Sequence, residues 1–271
     1  MTDPTAAIGV FDSGIGGLTV LKEIFRVLPS ENTIYLGDTA RVPYGIRSPE
    51  TVTRYSFENT RFLSARSVKV IIIACNTASS VSLEAVRSAF PVPVIGVIEP
   101  GAKAAVGATR NGRIGIIGTD ATIRSGAYER AIHALDPGIE VSGTACPLFV
   151  PLVEEGWTYG EIPEKIAEQY LRGIAGRGID TLVLGCTHYP LLKPVIEKTL
   201  GSGVSLIDSA TATAAELKAV LERLSLGNPS AGTGSHEYYV TDSPEKFVSV
   251  GQRFLGMAID TITKISLETE V

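Results

Sequence analysis

The stretch Val68-Lys69-Val70-Ile71-Ile72-Ile73-Ala74-Cys75-Asn76-Thr77 decides the fold. From Val68 to Ala74 it is β-branched and nearly continuous, as a strand buried on both faces of a parallel sheet should be. It stops at the polar Cys75-Asn76-Thr77, and a helical pattern follows from about Ser79 to Ala89. Strand, polar turn and helix in that order form the repeating unit of an α/β fold.

The same unit recurs on either side. Ala7 to Phe11 ends in Asp12-Ser13-Gly14-Ile15-Gly16-Gly17, after which Leu18, Leu21, Ile24, Phe25 and Leu28 recur at helical spacing up to Pro29. Thr33 to Leu36 predicts a second strand. Ser48-Pro49-Glu50 reads as an N-cap, a first-turn Pro and a first-turn acid, so another helix starts there. Downstream, strands are predicted at Val94 to Val97, Arg113 to Ile117, Ile139 to Ser142, Thr181 to Leu184 and Ser205 to Ile207. The C-terminal stretch adds a polar, Gly-rich loop from Gly227 to Ser235, a short strand near Tyr238 to Val240 and a helix from about Pro244. This is a doubly wound α/β design.

The chain also repeats itself. Ile8-Gly9-Val10 before Asp12-Ser13 is echoed by Ile114-Gly115-Ile116 before Thr119, and Ile73-Ala74-Cys75-Asn76-Thr77 by Leu184-Gly185-Cys186-Thr187-His188. Two similar α/β domains related by a pseudo-duplication are expected, each with a Cys at the carboxyl end of a central strand. Ligands bind at such ends, so the active site is expected in the cleft between the domains. Glu99-Pro100-Gly101 reads as a hinge, and the strand ending at Asp208-Ser209 returns the chain. The expected division is 1–98 plus 209–271 for a discontinuous first domain and 99–208 for the second.

Composition narrows the function. With 24 Lys plus Arg against 29 Asp plus Glu and no cluster of basic residues, nucleic acid is not the expected partner. No apolar run approaches membrane-spanning length, and no Lys or Arg precedes Lys22, so neither an anchor nor a signal peptide is expected. Three widely spaced cysteines offer no disulfide framework and no C-x-x-C metal site, which points to reduced thiols in a cytoplasmic protein. A small polar substrate is the expected partner. No motif encodes the oligomeric state, and a homodimer is compatible with the sequence.

Cys75 and Cys186 stand out because they occupy matched strand ends, where backbone N–H groups and a helix dipole can stabilise a thiolate. Cys146 lacks such a context and reads as a small buried hydrophobe. The Gly-rich segment 12–17 could cradle a phosphate or simply make a tight turn capped by Asp12, though it lacks the Lys-Ser/Thr ending of a P-loop. His188, two residues after Cys186, could polarise a thiol. Glu154 and Glu155 read by composition as solvated loop acids. Three functions fit these features: proton transfer by paired thiols, acyl transfer by one Cys with His188 as base, and small-molecule binding in a two-domain cleft. Duplicated thiols favour the first.

Asp12-Ser13-Gly14-Ile15-Gly16-Gly17, Pro43-Tyr44-Gly45, Ala74-Cys75-Asn76-Thr77-Ala78 and Gly185-Cys186-Thr187-His188-Tyr189-Pro190 together resemble the glutamate racemases of the aspartate/glutamate racemase family. The aspartate racemases resemble the chain less. The resemblance runs from about residue 8 to 210 and implies interconversion of L- and D-glutamate without a cofactor or metal, supplying D-glutamate for peptidoglycan. It implies that Cys75, assisted by Asp12, takes the proton from D-glutamate. Cys186, assisted by Glu154 and His188, would take it from L-glutamate. Ser13, Tyr44, Gly45, Asn76, Thr77 and Thr187 would bind substrate beside Asp12 and His188.

Overall fold

The computed structural model describes residues 3–267. Residues 1, 2 and 268–271, which the expected first domain includes, lie outside the described residues. Ten strands are described: β1 (Ile8–Asp12), β2 (Thr33–Gly37), β3 (Val70–Ile73), β4 (Val94–Gly96), β5 (Arg113–Gly118), β6 (Glu140–Ala145), β7 (Thr181–Gly185), β8 (Ser205–Asp208), β9 (His236–Val240) and β10 (Ile262–Lys264). They form a six-stranded sheet in the order β10-β9-β2-β1-β3-β4 and a four-stranded sheet in the order β6-β5-β7-β8. Every pairing is parallel. Parallel neighbours require crossovers, and helices supply them.

The duplication is visible in the topology. β2-β1-β3-β4 and β6-β5-β7-β8 share one strand order, which makes β1 the counterpart of β5 and β3 the counterpart of β7. In each sheet the winding direction reverses between these two central strands, and a crevice forms at their carboxyl ends. Asp12 and Cys75 stand at those ends in one sheet, Thr119 and Cys186 in the other. The central strands are largely apolar because helices cover both faces: Ile8, Val10, Val70, Ile72, Leu182 and Leu184 are all fully buried.

The chain passes between the sheets along two helices, Ile98–Ala108 and Ser209–Leu224, which pack on each other. Glu99-Pro100-Gly101, which reads in the sequence as a hinge, forms part of the opening turns of the helix Ile98–Ala108. Pro100 is its third residue, where the missing N–H has no intrahelical partner to lose. On the return, Asp208 caps the helix Ser209–Leu224, its Oδ1 accepting from the Ala210 N–H at 2.8 Å. Ser48 caps the helix Pro49–Ser64 as its sequence predicts, accepting from Thr51. Among the described residues no helix is long and apolar enough to cross a membrane.

Candidate active site

Cys75 closes β3 and opens the helix Asn76–Ala89 as its N-cap, with Sγ accepting from the Ala78 N–H at 3.5 Å. The helix therefore begins three residues earlier than its hydrophobic spacing suggests, because a sulfur acts as the cap. Cys75 is buried. Burial, reinforced by the nearby Asp12 carboxylate, pushes its thiol up to about 12, against hydrogen bonds from Ala78 and Ser13. These surroundings favour the neutral thiol of Cys75 over its thiolate.

Asp12 explains the Gly-rich turn. Its Oδ2 accepts from the Gly14 N–H at 2.9 Å, and the Ser13 and Gly17 amides also point at the carboxylate. Those amides are the ones a phosphate would need, so the turn is no phosphate cradle. Burial raises the Asp12 carboxyl above its ordinary value, with His188 and the amides opposing the rise. Close approach accounts for the glycines. A Cβ on Gly16 would lie 2.2 Å from Thr187 Oγ1 and 2.6 Å from the His188 ring, and one on Gly17 would lie 2.6 Å from the Asp12 side chain. Gly16 thus lets the Cys-Thr-His turn of one sheet press against the turn that follows β1 in the other.

Cys186 holds the equivalent strand position after β7 but lacks the equivalent helix. A 3-10 turn, Tyr189–Leu192, comes next, and the α-helix Lys193–Leu200 starts only afterwards. The dipole expected at both thiols therefore acts directly on Cys75 alone. His188 takes its place at Cys186, with Nδ1 3.9 Å from Sγ and Nε2 3.2 Å from Glu154 Oε1. Burial by itself would push the imidazolium down, but hydrogen bonds to Cys186 and Glu154 outweigh it and raise His188 to about 10. Glu154 in turn is held below the usual carboxylate range, chiefly by His188. Glu154 is no solvated loop acid: it ends the helix Phe149–Glu154, with its side chain 21% exposed.

Cys75, Cys186, His188, Ser13, Tyr44, Gly45, Asn76 and Thr77 line one cavity of about 150 Å³. That is below the roughly 300–1,000 Å³ of drug-sized sites, so it suits a small molecule. Asp12, Glu154 and Thr187 stand outside the lining: Asp12 lies beneath the turn, Glu154 behind His188, and the Thr187 hydroxyl against Gly16. The Tyr44 hydroxyl points away from chemistry. It donates to Asp38 and accepts from Asn59 Nδ2 at 3.1 Å, which fixes the Pro43-Tyr44-Gly45 loop against the cavity.

Thr119 and Asp120 complete the wall from the second sheet. The repeat flagged Thr119 as an echo of the Asp12 turn, but nothing local marked it as a site residue. Its Oγ1 lies 2.9 Å from Thr77 Oγ1 and 3.0 Å from Thr122 Oγ1, so three hydroxyls cluster where the two sheets meet. Tyr128 donates to Asn76 Oδ1 at 2.7 Å, leaving the buried Asn76 amide nitrogen without a protein partner. Cys146 stays apart, fully buried, its thiol donating weakly to the Thr144 carbonyl at 3.7 Å. Among the described residues no three His, Cys, Asp or Glu side chains gather closely enough to hold a metal ion. The cavity thus brings together two thiols, a histidine and neutral hydroxyl and amide groups.

Residues 8–217 match the family described as Asp/Glu/Hydantoin racemase. A glutamate racemase of Geobacter metallireducens is 55% identical over 98% of this chain and 99% of its own. Among solved structures, a glutamate racemase isoform of Bacillus anthracis superposes with a TM-score of 0.93 at 42% identity, covering 98% of this chain and 99% of that one. The glutamate racemase of Francisella tularensis, solved in complex with D-glutamate, gives 0.92 at 41% identity, with the same coverage. Its sequence, its paired sheets and the likeness of its whole length to these enzymes place the chain in the Asp/Glu/Hydantoin racemase family.

Proposed function

We propose that the chain interconverts L- and D-glutamate by proton transfer at Cα, with Cys75 and Cys186 on opposite faces of the substrate and no cofactor. One observation carries this: two thiols at equivalent ends of duplicated sheets line a single small cavity, each backed by a different acid/base group. Racemisation demands two such groups, because a proton must leave one face and another arrive at the opposite face.

From L-glutamate, the Cys186 thiolate, paired with the His188 imidazolium, takes the Cα proton and becomes a thiol. The Cys75 thiol gives its proton to the opposite face and becomes a thiolate, leaving D-glutamate. In reverse, the Cys75 thiolate takes the Cα proton of D-glutamate and becomes a thiol, while the Cys186 thiol gives its proton to the opposite face and becomes a thiolate, leaving L-glutamate. Asp12 beside Cys75 and His188 beside Cys186 exchange protons with the two sulfurs between turnovers. The substrate carries two carboxylates, yet no Lys or Arg lines the cavity. Hydroxyls of Ser13, Thr77 and Thr119, the Asn76 amide and backbone N–H groups hold the carboxylates instead. Preorganised neutral donors also stabilise the charge that builds on the α-carboxylate as Cα loses its proton.

The two domains, 1–98 plus 209–271 and 99–208, would close on the substrate about the paired helices Ile98–Ala108 and Ser209–Leu224, excluding water from the carbanion-like transition state. D-Glutamate made in the cytoplasm would serve peptidoglycan synthesis. Circular dichroism of the purified protein with L-glutamate, and separately with D-glutamate, tests the reaction. Both signals should decay to zero without added metal or pyridoxal phosphate. A persistent signal from either enantiomer would overturn the proposal.

A further inference from the structure

The helix Pro244–Leu255 presents Lys246, Arg253 and Phe254 on one side, at the i, i+7, i+8 spacing of a single helical face. All three meet the Glu154–His188 pair, which belongs to the second sheet's half of the chain. The Arg253 guanidinium donates to the Glu154 backbone carbonyl, one of the groups a helix end leaves without a partner. Lys246 Nζ lies 3.7 Å from Glu154 Oε2, the oxygen that His188 does not use. The Phe254 ring meets the His188 imidazole edge-on, centroids 5.1 Å apart at 84°. Gly156 supports the contact from the other side: it has φ +79°, and a Cβ there would lie 3.2 Å from Arg253 Nη1.

We propose that Arg253 is a positioning residue. By capping the carbonyl of Glu154 from across the interface, it fixes where the helix Phe149–Glu154 ends and so holds the Glu154 carboxylate on His188. Lys246 holds the second carboxylate oxygen, and Phe254 fixes the plane of the imidazole. The C-terminal helix therefore completes a proton-transfer group of the opposite half, and Cys186 is fully equipped only when the two halves are together. This inference rests on the racemase reading, because it assigns a use to the His188–Glu154 pair.

Arg253 is exposed, so Arg253→Met and Arg253→Gln should fold, and thermal melting checks this. His188 is followed directly by NMR of histidine-labelled protein; the charged or titratable groups around it are Cys186, Glu154, Asp12 and, through Glu154, Lys246. In both variants its titration midpoint should fall by about half a pH unit or more, because the hydrogen bond that favours the imidazolium loosens. At pH 9.5, kcat/KM should drop about 1.5-fold or more as that midpoint falls. A purely structural Arg253 would lower the melting temperature without moving the His188 midpoint. Folded variants with an unmoved midpoint and wild-type kcat/KM overturn the inference. If the wild-type protein does not racemise glutamate at all, the functional proposal fails instead, and the NMR titration still reports whether Arg253 positions His188.

Discussion

Replacing Glu154 by Gln keeps the shape of the side chain and removes the charge that His188 Nε2 meets at 3.2 Å. A hydrogen bond to a charged group contributes about 1.5–3 kcal/mol. Glu154 is 21% exposed and so partly screened, which favours the low end of that range. At 1.36 kcal/mol per pH unit, the loss moves the imidazolium down by about one unit, from its value of about 10 in the intact protein. The alkaline limb of the kcat/KM profile should shift down equally, while activity near pH 7 falls only a few-fold because His188 stays protonated there. Initial rates by circular dichroism between pH 7 and 10.5 measure this. Enantiomers have equal free energy, so kcat/KM must fall by the same factor in both directions, although kcat and KM individually need not. A folded Glu154→Gln protein with an unmoved alkaline limb would refute the idea that Glu154 sustains the imidazolium.

Three further outcomes are expected. Cys75→Ala and Cys186→Ala should each lose about 10²–10⁴-fold or more of kcat/KM in both directions, and in heavy water the wild-type product should carry solvent deuterium while remaining substrate stays protonated early; a folded single-Cys variant with near wild-type turnover would remove that residue from the mechanism. Gly16→Ala puts a methyl 2.2 Å from Thr187 Oγ1 and 2.6 Å from His188, and overpacking of this kind costs about 1–3 kcal/mol, so both melting temperature and kcat/KM should fall; an unchanged pair would show that the contact yields freely. His188 gains its proton affinity on folding, from an ordinary 6.5 to about 10, so its contribution to stability is complete below pH 6.5 and disappears as pH rises to about 10; urea midpoints should therefore decline more steeply from pH 7 to 10 in the wild type than in His188→Asn, and parallel declines would contradict the assignment.

Strands were the most legible part of the fold, because a parallel strand covered on both faces must be mostly apolar, and Val70–Ile73 and Leu182–Leu184 are entirely so. The matching Cys turns could be read because duplication leaves the same residues at the same strand ends. Local chemistry did not reveal that Glu99-Pro100-Gly101, a turn-forming tripeptide, opens a helix in which Gly101 fits beneath the Tyr128 ring. The meeting of Glu154 with His188 lies across 34 positions, and composition favours solvent for an acid before Gly-Trp. Gly16 looked like a turn glycine, whereas its reason is a neighbour 171 residues further along the chain. β10 was too short to show a pattern, and its pairing with β9 places it.

Like positions with unlike surroundings give a two-thiol racemase a memory. Cys75 sits beside a buried carboxylate and Cys186 beside His188, so on the proposed mechanism the free protein would pass between two protonation isomers of unequal energy. On that mechanism each turnover from L- to D-glutamate would leave the isomer suited to the opposite enantiomer. Before a second molecule of L-glutamate can react, protons must be redistributed in the empty cavity, through Asp12 and His188 or through water. At saturating substrate that redistribution becomes a step of the cycle in its own right. An equilibrium constant of one then coexists with unequal maximal rates in the two directions, set by which isomer the empty protein prefers.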